Sequence, residues 1–195
     1  MGLSFHYKGR FNKKASLREM IEEIEDIATV YKWEYKTYNR SFPSQPDKDQ
    51  YNDCVYGISF TPPNCESVPI EFLSNGRMSS NVHLEFFGNS DRIDYQKYLY
   101  QISVKTQFAG PEVHMILIRL FKYLSKKYFV YFKFIDEGHY WETGDEKLLR
   151  ETFSRYNELL DIVSHSIQSF PIMPGEKIET YFDRLIVHIN KKRKR

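Results

Sequence analysis

The densest run of chemically competent side chains is Asp136-Glu137-Gly138-His139-Tyr140-Trp141-Glu142-Thr143-Gly144-Asp145. One imidazole among several carboxylates suits a divalent cation or a general base. Tyr140 and Trp141 can wall a ligand by stacking. A second run, residues 105–114, adds Gln107 and His114 around Gly110-Pro111-Glu112. Proline at a first helical position opens a helix there, and its free N–H groups can seat an anion. Glu112 already supplies negative charge to that helix end, which argues against one. His139, Tyr140, Trp141, Glu142, Gln107 and His114 are therefore the candidate ligand-binding residues. No residue is assigned a catalytic role, and neither a metal nor a cofactor is expected.

The same residues have plainer explanations. Thr143-Gly-Asp-Glu146 reads as a capping box. Asp145 then complements the helix dipole, and Trp141 closes the edge of a core. His83 and Glu85, two apart on an expected strand, face the same way, with Glu71 on the preceding strand. His plus two Glu is a conceivable metal cluster, but a solvent-facing sheet has the same pattern. Glu22, Glu23, Glu25 and Asp26 read as the wet side of a helix. The five basic residues 191–195 have the look of a nuclear signal or a nucleic-acid arm. They cap an otherwise near-neutral chain, so they read first as a solubilising end. His6 is read as a solvent-face strand residue, and His165 and His188 carry no assignment.

These groups sit in a chain of 195 residues with 41% apolar and 16% aromatic residues, Lys+Arg 28 against Asp+Glu 26, and a net charge of +2. Such a chain can bury a real core. It is not disordered in bulk, fibrous, or a strongly charged binder. No run approaches the roughly 18 apolar residues of a membrane helix, and residues 1–10 lack a signal-type apolar region. Cys54 and Cys65 are too few for a disulfide framework and read as reduced thiols. The phosphate loop, the dinucleotide glycine motif, His-Glu-x-x-His, Gly-x-Ser-x-Gly and paired Cys-x-x-Cys are all missing. The expectation is a cytoplasmic, non-catalytic ligand- or protein-binding protein of unknown specificity. A metal-assisted or acid/base hydrolase on the His139/Glu142 loop is one alternative. Its condition is that His114 and His139 open into one pocket. A weak nucleic-acid binder through 191–195 is the other, though neither nucleic acid nor membrane is the expected partner.

Residues 3–8 alternate apolar and polar, as a half-wet strand does. Ser16-Leu-Arg-Glu19 is a capping box, and Leu17, Met20, Ile21, Ile24 and Ala28 mark an amphipathic helix to about residue 32. Residues 33–38 alternate again. The polar, proline-bearing stretch 40–53 reads as a mobile insertion. Strands are expected at 55–61, 68–73, 80–88 and 98–108, with Asn75-Gly76 as a hairpin turn. A helix follows from Gly110, then a strand over 128–135, and helices over 146–167 and 176–189. The expected fold is α+β, a largely antiparallel sheet of about six or seven strands with helices mainly on one face. Residues 1–190 form one expected domain, followed by the basic tail.

Overall fold

The computed structural model describes residues 2–44, 50–88 and 93–192. The fold is α+β with two antiparallel sheets. Contacts divide the chain into two compact units, Met1–Leu149 and Arg150–Arg195. In chain order the elements are β1 (Ser4–Phe11), α1 (Leu17–Val30), β2 (Glu34–Thr37), β3 (Val55–Thr61), β4 (Val68–Leu73), β5 (Met78–Ser79), α2 (Asn81–Phe87), α3 (Ile93–Gln96), β6 (Ile102–Lys105), α4 (Gly110–Tyr128), β7 (Phe129–Asp136), α5 (Tyr140–Thr143), α6 (Glu146–Ser169) and α7 (Ile178–Lys192).

The seven strands do not form one sheet. β6-β1-β7 make a three-stranded sheet and β2-β3-β4-β5 a four-stranded one. Among the described residues one bridge joins them, Arg10 opposite Arg77, with Phe11 N–H donating to the Gly76 carbonyl at 2.8 Å and Phe72 of β4 packed on Phe11 and Phe129. β5 is two residues long, too short to carry the ladder further along β1. A side-chain bond reinforces the junction, with the buried Tyr7 hydroxyl donating to the Pro69 carbonyl at 2.5 Å.

Alternation builds both sheets. In β1, Phe5, Tyr7 and Phe11 are buried, while His6, Lys8 and Arg10 face outward. α4 packs against the buried side: Phe121 lies 5.7 Å from Phe5, 4.6 Å from Tyr7 and 5.4 Å from Phe134 between ring centroids. Burying a ring such as Phe121 contributes about 1.5–3 kcal/mol. In the four-stranded sheet, Ile58, Phe60, Val68, Ile70 and Phe72 occupy one face. Trp33 stacks on Phe60 at 5.3 Å. α1 is set by Ser16, whose hydroxyl accepts from Glu19 N–H. The Asn75-Gly76 turn joins β4 to β5 with Gly76 at φ +78°.

Three expectations need correction. Residues 80–88 are not a strand. Ser80 Oγ accepts from His83 N–H at 3.1 Å and caps the helix α2. Apolar residues at 82, 84 and 86 match a strand's period, and the N-cap decides against it. Of residues 98–108 only Ile102–Lys105 is strand, because Tyr98–Tyr100 forms a 3-10 turn. The cap of α6 is Asp145, whose Oδ1 accepts from Leu148 N–H at 3.0 Å. The Thr143 hydroxyl instead donates to the His139 carbonyl at 2.7 Å.

In the unit Arg150–Arg195, the Arg184 guanidinium bonds both Glu176 oxygens, at 2.9 and 2.8 Å, and stands 4.1 Å over the Phe170 ring. Phe170 also stacks on His188. These contacts tie the turn before α7 to its middle. Of the basic tail, α7 includes Lys191 and Lys192, and residues 193–195 lie outside the described residues. Within the expected insertion 40–53, residues 45–49 lie outside them too.

Candidate functional site

The two loops singled out by sequence meet, but around a buried knot. His114 on α4 and Asp136 at the end of β7 have fully buried side chains, with Nε2 2.9 Å from Oδ1. Thr106, also buried, places its hydroxyl 2.7 Å from His114 Nδ1. Asp136 further accepts from Gly138 N–H at 2.7 Å and Trp141 N–H at 2.9 Å. Burial alone would push the Asp136 carboxyl up. The hydrogen bond and charge of His114, with the two backbone donors, outweigh this and hold it below the ordinary aspartate value. An ionised carboxylate only accepts, so His114 carries a proton on Nε2. Hydroxyl, imidazole and carboxylate stand in the order used to activate a nucleophile. With no solvent access to any of the three, the arrangement clamps β6, α4 and β7 together instead.

The remaining residues fall around this knot. Gln107 is buried, and its Oε1 accepts from Leu3 N–H at 2.9 Å. Tyr140 is buried, with its hydroxyl accepting from Arg119 at 3.0 Å. Trp141 stacks on Phe134 at 4.4 Å. His139 and Glu142 are exposed, His139 with left-handed backbone at φ +60°. His114 is sealed and His139 is open, so they do not share a pocket.

A different pair comes together at the other sheet. A cleft of about 390 Å³ is lined by Glu71, His83, Ser59, Ser80, Asn81 and Ile102, among others. Glu71 stands on the polar face of β4, opposite Gly57 and Ser79 in register. Gly57 is at φ +124°, and a Cβ there would run into the Ile70 carbonyl, so glycine alone lets β3 approach Glu71 this closely. The glutamate is only 2% exposed. Asn81 N–H, at the start of α2, donates to its Oε2 at 2.7 Å.

Burial pushes the Glu71 carboxyl up to about 7, against the opposing pull of Asn81 N–H, the Ser59 hydroxyl and the charge of Lys36. Burial also lowers the His83 imidazole below its ordinary value. His83 Nδ1 is buried and, among the described residues, has no hydrogen-bond partner. At neutral pH the cleft thus holds a carboxyl poised between its two forms beside a neutral imidazole. Such a pair can accept, donate or exchange a proton with whatever enters.

Sequence reasoning weighed Glu71 and His83 together, but through a strand that does not exist. His83 and Glu85 sit in a helix, two residues apart, and Glu85 is exposed outside the cleft lining. Among the described residues no group of three or more His, Cys, Asp or Glu is placed to hold a metal ion. Cys54 and Cys65 are free thiols, and burial pushes Cys65 up to about 12. Among the described residues, no helix is long and apolar enough to cross a membrane. Comparison with family models, with curated proteins and with solved structures finds no match.

Proposed function

We propose that this chain is a binding protein for a small ligand that carries a cationic nitrogen, held in the Glu71 cleft. The observation that carries the reading is a carboxylate buried to 2% exposure that borders an open cleft. Among the described residues it takes a backbone N–H and a serine hydroxyl but no ion pair at contact distance, the charge of Lys36 acting on it from farther off. A buried charge without a counter-ion in contact is costly, and a cation entering the cleft would relieve that cost. His83 Nδ1 and the serine hydroxyls would orient polar groups on the same molecule. Nothing in this reading requires catalysis.

Calorimetric titration with a panel of small primary amines and guanidines tests it. The amine draws the proton off Glu71, so binding near pH 6.5 releases protons and the observed heat varies with the buffer's ionisation enthalpy. Glu71→Gln should abolish that proton release and weaken binding at least tenfold. Equal affinity in Glu71→Gln, or no binding by any amine or guanidine, would refute the assignment.

A further inference from the structure

We infer that the outer face of the β6-β1-β7 sheet is a docking surface for single-stranded nucleic acid. The registers set out its rows. Lys8 lies opposite Lys133, and Arg10 lies between Tyr131 and Arg77. His6 lies between Ile135 and Ser103, and Ser4 lies opposite Lys105. The face therefore gathers Lys8, Arg10, Arg77, Lys105 and Lys133 within four rows of a three-stranded sheet. Two shallow grooves, of about 90 and 190 Å³, cross it and share Lys8 in their walls.

Charge complementarity identifies an anion as the occupant. Like charges directly opposite on neighbouring strands are destabilising, yet the face sets Lys8 against Lys133 and Arg10 against Arg77. Among the described residues, none of Lys8, Arg10 or Lys133 has a carboxylate at ion-pair distance. Two acids border the face: Glu137 at one corner, 3.5 Å from His6 with its Oε2 accepting from Ser4 N–H, and Glu66 at the β6 edge, whose Oε2 accepts from Lys105 N–H at 2.7 Å. A polyanion laid along the rows would neutralise the unpaired cations together.

Aromatic side chains then distinguish the kind of polyanion. Tyr131 is 53% exposed between the cations. Arg77 lies flat over Tyr100, its guanidinium carbon 3.3 Å from the ring centroid. A tyrosine ring and a stacked guanidinium plane are platforms for unpaired bases, while lysines beside them take the phosphates. An acidic peptide would use the cations but not the rings. The surface borders the Glu71 cleft at Ser103 of β6, but its cations and Tyr131 lie outside that cleft's lining, so either assignment can fail without the other.

The test is fluorescence anisotropy of the full chain with labelled dT12 and rU12, at 50 and 200 mM salt. If three or four phosphates are neutralised, affinity should fall roughly 20- to 50-fold between those salts. Lys8→Gln with Lys133→Gln should weaken binding about tenfold or more while leaving the thermal midpoint unchanged or higher, since it removes a repulsion. Tyr131→Ala should cost roughly fivefold or more. Deleting residues 191–195 should leave most of the affinity. The inference is overturned by any of four results: no binding at 50 mM salt, unchanged affinity in the double lysine variant, loss on tail deletion alone, or unchanged affinity in Tyr131→Ala with polyglutamate competing as well as the oligonucleotide.

Discussion

Glu71→Gln separates the charge of this side chain from its shape. The carboxyl titrates near 4.5 when free and about 7 in the fold. Because the folded value is the higher one, the native state favours the protonated form. That advantage is full below pH 4.5 and is lost as pH rises through 7. Above that, holding Glu71 ionised costs about 3 kcal/mol relative to an ordinary glutamate. Glutamine keeps the volume and an oxygen for Asn81 N–H, but never ionises. The stability gained by Glu71→Gln over the wild type should therefore grow by about 3 kcal/mol between pH 4 and pH 8. Every other titrating group is common to both proteins and cancels in the difference. Urea unfolding followed by tryptophan fluorescence suits the measurement, since Trp33 stacks on Phe60 of the same sheet. Two parallel stability profiles, with a constant offset from pH 4 to 8, would show that Glu71 is not held protonated by burial. The electrostatics assigned to the cleft would then be wrong.

Asp136→Asn should destabilise by about 2–4 kcal/mol, because one amide cannot accept from His114, Gly138 and Trp141 together and sets its own NH2 against a donor; urea unfolding at pH 7 within 1 kcal/mol of the wild type would contradict this. Asp136 is depressed in the fold, so its contribution is present above the ordinary aspartate value and lost as pH falls below it. Acid unfolding should accordingly narrow the gap between the wild type and Asp136→Asn, and a gap that widens in acid reverses the assigned sign. Gly57→Ala should cost about 3 kcal/mol or more, from a glycine-only backbone conformation and from collision with the Ile70 carbonyl; a thermal midpoint unchanged within 2 °C would refute the close approach of β3 to β4.

Much of the fold was legible where local chemistry and burial agree. β3 and β4 appear at the strand-like runs 55–61 and 68–73 that turn residues set off, and Ser16 caps α1 as its spacing requires. Legibility failed where two periods fit one stretch. Val82, Leu84 and Phe86 alternate like a strand, but Val82 and Phe86 are exposed on α2. Alternation signals a strand only if one set of side chains is buried, and burial is a property of the neighbours. The split into two sheets was likewise hidden. It depends on β5 ending after two residues, which no pattern in Met78-Ser79 announces.

The same dependence on neighbours governs the sites. The 136–145 loop drew notice because its side chains are reactive, yet Asp136 spends its hydrogen bonds on His114 and on the loop's own backbone. Glu71 looks in sequence like the wet residue of a half-exposed strand, yet it is buried, with the start of α2 bonded to its carboxyl through Asn81 N–H and β3 close against it at Gly57. Net charge misleads in the same manner. A total of +2 predicts no polyanion partner, but a total does not describe a distribution. The carboxylates of α1, among them Glu22, Glu23 and Glu25, are spent on Arg18, Lys127 and Arg40. Among the described residues, Lys8 and Arg10 of β1 and Lys133 of β7 point outward with no carboxylate at ion-pair distance, so a nearly neutral chain can still present one strongly cationic face.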